Sequence, residues 1–222
     1  MMSDARERVL ADVRTALGGG RPDPAAVARE AAAILADPAD VQPKFDDFSN
    51  LKRFVERATS ETVTATVDDV QDFAAVPSAV RRYLSEHGLA LDVSMVSVAN
   101  LTDQDWDDVS YHHTIDPEER VSVCLADYGI AETGTLVFHS CPESPTLFNY
   151  LPLHHIVVIE AKKILRYIED YCAKVRAAGN IHPRNINFIT GTSGTADIEA
   201  RNIRGAHGPR FLHIVIIEDG NA

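Results

Sequence analysis

Along the first 36 residues, apolar positions recur at helical spacing. Val9, Leu10, Val13, Ala16 and Leu17 form one stripe, with Asp4 as a cap and Glu7 three residues on. Gly18, Gly19 and Gly20 close that helix. Asp23-Pro24 opens a second, a cap followed by proline at the first helical position, which runs to Asp37-Pro38. Residues 1–49 read as a helical arm, and residues 50–222 as an α/β domain. From residue 50 the pattern turns to alternating helix and strand. A short helix spans residues 51–58, TVTATV at 62–67 reads as a strand, and VPSAVRRYLSEHG is a helix ending at Gly88. LALDVSMVSV, VSVCLA and GTLVFHS read as strands, and residues 100–118 as a loop or broken helix. HHIVVIE is a strand leading into a helix that ends near Gly179. INFIT is a strand, TADIEARNIRG a helix and FLHIVIIE a last strand. This order predicts a mostly parallel sheet with helices on both faces, holding every strand from HHIVVIE onward.

Charge narrows the choice of partner. Lys and Arg total 21 against 33 Asp and Glu, a formal net charge of -12 over 222 residues. Such a surface repels nucleic acid and anionic lipid unless a basic stripe overrides it, and the cluster of Lys162, Lys163 and Arg166 reads as the exposed side of one helix start. The opening MMSDARERVL carries no apolar signal segment, and no stretch is long and apolar enough to span a bilayer, so the expected compartment is the cytoplasm. The three cysteines, Cys124, Cys141 and Cys172, share no C-x-x-C spacing. An iron–sulfur cluster takes four thiolates or a close substitute, so no cluster and no other resident cofactor is expected in this chain. His112-His113 and His154-His155 are adjacent pairs, which point to opposite faces of a strand, so no metal site is expected.

Three segments carry candidate chemistry. Gly191, Thr192, Ser193, Gly194, Thr195 and Asp197 lie between a predicted strand and a predicted helix. A helix N-terminus offers free N–H groups and partial positive charge, and the hydroxyls add donors, so this loop is a candidate site for a small carboxylate or phosphate. It is equally a turn capped by Thr195. The nucleotide P-loop pattern fails for want of a lysine, and G-x-S-x-G fails because Thr195 stands at its last glycine. Next, His207, Gly208 and Arg210 precede the last strand; His207 could move a proton or donate to an anion, and Arg210 could pair with a carboxylate. The alternative is a plain surface turn. Finally, Glu132, Thr133 and Gly134 sit at a bend between strand-like runs. Glu132 is either a nucleophile or base, or an acceptor for turn amides.

Together ADYGIAETGTLV, LPLHHIVVIEAKKIL and ITGTSGTADIEARNIRGAHGPRFLHIVIIE resemble the lactate utilization protein C family, built on the LUD domain. The resemblance runs from about Val121 to Ile217. That family's loop usually reads G-P-S-[RK]-T-A-D-I-E; here Thr192 replaces the proline and Gly194 the basic residue. The resemblance implies a fold similar to the NagB/RpiA/CoA-transferase superfamily. It also implies a part in oxidising L-lactate to pyruvate beside two partner subunits that carry iron–sulfur clusters. The chain would then be a non-redox subunit with a small-anion pocket. A second class stays open: a stand-alone enzyme of CoA-transferase or folate cyclo-ligase type, working through Glu132 or the Gly191 loop.

Overall fold

The computed structural model describes residues 2–18, 23–36, 42–45, 49–179, 181–198, 201–205 and 207–218. The chain divides into two compact units, Met1–Lys44 and Phe45–Ala222. In the first, α1 (Met2–Ala16) and α2 (Pro24–Ala36) match the two amphipathic stretches. Asp23 caps α2, its Oδ1 accepting from the Ala25 N–H at 3.0 Å. The side chain of Asp4 lies outside the described residues.

The second unit centres on a six-stranded, wholly parallel sheet. Its strands are β1 (Thr66–Val70), β2 (Asp92–Met95), β3 (Ser110–His112), β4 (Val121–Leu125), β7 (His154–Glu160) and β12 (Phe211–Ile217), in the order β1-β12-β7-β4-β2-β3. The central strands β4, β7 and β12 are near-continuous apolar runs because both faces of the sheet are covered. Ile156, Val157, Val158, Ile214, Val215 and Ile216 are fully buried. Helix α4 (Val76–Glu86) lies against one face, where the Tyr83 hydroxyl meets His154 Nδ1 at 2.9 Å.

The opposite face carries a second, smaller sheet. Its strands are β5 (Tyr128–Ile130), β6 (Thr135–His139), β8 (Ile164–Leu165) and β9 (Ile186–Ile189), in the order β8-β5-β6-β9. Leu136 and Phe138 join the main core from its inner side, together with Phe54 and Ala58 of α3 (Asn50–Ala58). Val137 and Ile130 point outward and pack on Tyr171 of α6 (Ile168–Ala177). Period-two alternation therefore splits each small-sheet strand between two cores.

The α/β class and the mostly parallel sheet agree with the sequence reading. Two expectations do not hold. INFIT (β9) does not join the parallel sheet; it pairs antiparallel with β6, Val137 opposite Phe188 and Phe138 opposite Asn187. Both flanks of β7 are already taken, by β4 and β12. With Asn187 buried but Phe188 41% exposed, β9 suits a strand having one open face. Nor is 195–205 a helix: β10 (Gly194–Ile198) and β11 (Arg201–Arg204) pair antiparallel as a hairpin. Its two large apolar residues, Ile198 and Ile203, are five apart, a spacing that puts them on different sides of a helix. Smaller shifts have local causes. Thr64 at φ 62 breaks the run at 62–67, so β1 starts at Thr66. The stretch 100–118, read as irregular, holds the one-turn α5 (Ala99–Thr102) and the edge strand β3.

Candidate functional site

A cavity of about 270 Å³ opens where three loops meet. One loop leaves β9, one enters β12, and the third is the turn at Thr146–Asn149 before β7. The first is tightly pinned. Gly191 has φ 80, and a Cβ there would lie 2.9 Å from Val63 Cα and nearer still to the Val63 carbonyl oxygen, so only glycine fits. The Thr192 N–H donates to the Val63 carbonyl at 3.3 Å, and the Thr192 and Thr64 hydroxyls meet at 2.9 Å. The Ser193 N–H donates to the Pro209 carbonyl at 2.8 Å, and Gly205 N–H to the Ser193 carbonyl at 2.9 Å. Gly208 packs closely on the same loop, since a Cβ there would sit 3.2 Å from that of Ser193. The structure thus brings Gly191, Thr192, Ser193 and Gly194 together with His207 and Gly208 around one cavity.

Its deep wall consists of residues the motif reading passed over. His155, in register with Leu212 of β12, is 1% exposed. Burial pushes its pKa down to about 3, so the imidazole is neutral at physiological pH. Its ring lies 5.7 Å from that of Phe138, and its Nε2 has no hydrogen-bond partner. Asn149 is 3% exposed, and its Oδ1 likewise has none. The Tyr150 hydroxyl donates to Asn187 Oδ1 at 3.2 Å, fixing the rim. His155 was legible in principle: two-residue alternation turns it away from His154, into the second layer. A lone polar side chain in an apolar strand was the signal. Asn149 left none.

The geometry alters the chemistry expected of this loop. The chain after Ser193 enters a hairpin, so this loop presents no helix N-terminus to the cavity. The amides of Thr192 and Ser193 already donate within the protein. Among the described residues, no lysine or arginine lines the cavity. It also lies at the amino ends of the parallel strands, beside the second residues of β7 and β12 (His155 and Leu212), not at the carboxyl ends where open α/β sheets usually bind ligands. What remains for a ligand is hydroxyls, uncharged polar groups and His207.

Other candidates stand apart from the lining. Thr195 pairs with Ile203 in the hairpin, and the Asp197 side chain lies outside the described residues. Arg210 is exposed, its guanidinium 5.6 Å from the Phe211 ring. Glu132, Thr133 and Gly134 form the β5–β6 turn and do not line the cavity. Gly134, at φ 71, packs on α3, where a Cβ would meet Ala58 N at 2.8 Å. Burial, then repulsion from Glu169, raises the Glu132 carboxyl above the usual range, against an opposing hydrogen bond from the Ile168 backbone. A row of hydroxyls joins this turn to the cavity loop: Thr133 to Thr135 at 2.6 Å, and Thr135 to Thr190 at 2.6 Å. Two of the cysteines, Cys141 and Cys172, are exposed, whereas Cys124 is buried in the core.

Residues 118–217 match the LUD domain family, and this stretch contains β4 to β12 and every wall of the cavity. Over 119 residues, 51% of the chain, it is 34% identical to the uncharacterized protein YkgG of Escherichia coli K12, covering 52% of that protein. It is 30% identical to lactate utilization protein C of Geobacillus kaustophilus, covering 51% of this chain and 50% of that one. The matched region thus spans about half the length of these curated relatives. A crystal structure of a DUF162 family protein from Deinococcus radiodurans shares the fold, with a TM-score of 0.56 and 20% identity, covering 78% of this chain and 99% of that one. Among the described residues, no helix is long and apolar enough to cross a membrane. Over residues 118–217 the chain is similar to the LUD domain family, and it is similar to proteins named lactate utilization protein C.

Proposed function

We propose that this chain is a non-redox subunit of a lactate-utilisation system, acting with iron–sulfur partner subunits that oxidise L-lactate to pyruvate. Similarity to proteins named lactate utilization protein C, together with the LUD domain match over the residues that build the cavity, carries this reading. Removing electrons from lactate needs a redox carrier. With three cysteines the chain falls short of a four-thiolate cluster, which supports placing an iron–sulfur carrier on a partner. The contribution of this chain is then to hold a small carboxylate in the cavity, Ser193 and Thr192 offering hydroxyls and His207 standing at the rim. The alternative, a stand-alone CoA-transferase-like or cyclo-ligase-like enzyme, draws on the raised pKa of Glu132. The placement of Glu132 outside the cavity favours the subunit reading.

The test combines two measurements. The chain is expressed alone and assayed for lactate oxidation; none is expected. Its gene is deleted in the host and growth on L-lactate is scored, with complementation by the full chain and by a version lacking residues 1–36. Loss of lactate growth, restored by the full chain, is the expected result. Normal lactate growth of the deletion strain, or lactate oxidation by the isolated chain, overturns the proposal.

A further inference from the structure

We propose that the free edge of β9 pairs with the same edge of a second copy of this chain, joining the two small sheets into one antiparallel sheet across a two-fold axis. The proposal stands apart from the lactate-utilisation reading. β9 ends the order β8-β5-β6-β9, so among the described residues it has a strand neighbour on one side only. The hydrogen bonds fix which groups face the open side. The Ser140 N–H donates to the Asn185 carbonyl at 3.0 Å, and the same register sets Phe138 opposite Asn187 and Leu136 opposite Ile189. Bonded and non-bonded pairs alternate along an antiparallel ladder. Asn185, Asn187 and Ile189 therefore bond to β6, whereas Ile186 and Phe188 turn their N–H and C=O groups outward. In keeping with this, Val137, opposite Phe188, accepts from the Asp127 N–H on its other side at 2.9 Å. Among the described residues, none bonds to the backbone of Ile186 or Phe188 across the open edge.

An open edge is a template for another strand, and proteins blunt it with charge, proline, bulges or brevity. The other edges of the two larger sheets are blunted: β1 carries Asp68 and Asp69, β3 has three residues and β8 two. β9 carries no charge and no proline, its pairing with β6 is regular, and Phe188 is 41% exposed. Charge points to a second copy as the occupant. At a net charge of -12, two copies repel over most of their surface. From Ile181 to Thr192 there is no Asp or Glu, so here two copies meet without acid facing acid. Antiparallel pairing centred on Asn187 sets Ile186 opposite the second copy's Phe188, and the reverse. Each such pair exchanges both of its N–H···O bonds. Arg184 then lies opposite the second copy's Thr190, so like charges stay apart. Opposed side chains share a face, so each Phe188 covers the other copy's Ile186 beside Tyr171, whose ring is 5.3 Å from that of Phe188. The contact is isologous and closes on itself as a dimer. Phe188 and Ile189 also line the cavity, so the second copy stands beside its mouth.

The experiment is sedimentation velocity of the full chain from low to high micromolar concentration. A short edge buries little area, so the expected result is a weak dimer whose share rises with concentration. Phe188→Lys brings charge into the paired edge, and its dissociation constant should rise at least tenfold. Phe188→Pro removes an N–H that faces away from β6 and should weaken the dimer likewise. Both are checked for native circular dichroism, and either one that folds carries the test. Amide hydrogen exchange of the natural chain adds a readout that needs no variant: protection at Ile186 and Phe188 should increase with concentration. Val13→Glu, in the exposed stripe of α1, should leave the dimer unchanged. A monomer at every concentration overturns the proposal, as does a dimer that persists in the folded Phe188 variants. So does exchange at Ile186 and Phe188 that ignores concentration. A dimer abolished by Val13→Glu assigns the contact to the helical arm and also overturns it. Growth on lactate is scored separately, so a monomeric chain that lactate growth requires refutes this proposal and leaves the subunit reading standing.

Discussion

Three buried histidines should make this protein acid-labile well above the pH at which carboxylates titrate. His155 faces the cavity layer, while His154 and His213 lie under α4 around Tyr83. Burial is the main cause that pushes the pKa of His155 down to about 3 and those of His154 and His213 down to about 4, from an ordinary 6.5. For His213 the Asp68 carboxylate, 3.6 Å from Nε2, pulls the other way. A depressed folded pKa gives stability that is complete above 6.5 and is lost as pH falls from there through the folded value. At pH 5 the unfolded chain gains about 1.5 pH units of protonation per histidine, or about 2 kcal/mol each at 1.36 kcal/mol per unit. All three together approach about 6 kcal/mol, a large part of a typical folding free energy of about 5–15 kcal/mol. Asp69 and Glu132, both raised, act in the opposite sense and offset a fraction of this. The assay is urea unfolding at pH 7.5 and 5.0, for the natural sequence and for His155→Phe. The variant should lose about 2 kcal/mol less between the two pH values. At pH 7.5 it should be no less stable than the natural protein, because an unpaired buried nitrogen has gone. Equal pH sensitivity of the two proteins, or a natural protein whose stability is flat over this interval, would refute the reasoning.

Other outcomes follow from the same geometry. Gly191→Ala should cost about 3 kcal/mol or more in urea unfolding, since positive φ adds about 1–2 kcal/mol to a backbone clash with Val63. Tyr83→Phe should cost about 1–3 kcal/mol by leaving buried His154 without its hydroxyl partner, measured by thermal unfolding at pH 7.5. Glu132→Gln should be neutral or mildly stabilising at pH 7.5 because it removes a carboxylate repelled by Glu169; marked destabilisation would show that the turn depends on the charge.

How much of this was legible follows from what each segment packs against. HHIVVIE and FLHIVIIE were readable as central strands because a parallel sheet covered on both faces demands unbroken apolar runs. The cavity loop was found through its glycine-rich run, and Gly191 is required there by its close approach to the Val63 backbone. INFIT gave no hint of its sheet, since strand partners are set by which edges are free once β4 and β12 flank β7. The hairpin at 194–204 was mistaken for a helix through a strand-turn-helix expectation, although the spacing of Ile198 and Ile203 argued against it. That error mattered, for a helix N-terminus was one ground for expecting an anion there, and the hairpin removes that ground alone. Asn149 was missed because its place in the cavity wall is a property of packing and not of sequence, whereas alternation along β7 already turned His155 toward the second layer.

The most direct test of the account is a crystal of the full chain soaked in L-lactate. The account predicts density in the cavity, with the carboxylate toward Ser193 and His207. Lactate bound beside Glu132 instead, or a cavity that keeps only water at saturating lactate, would contradict it.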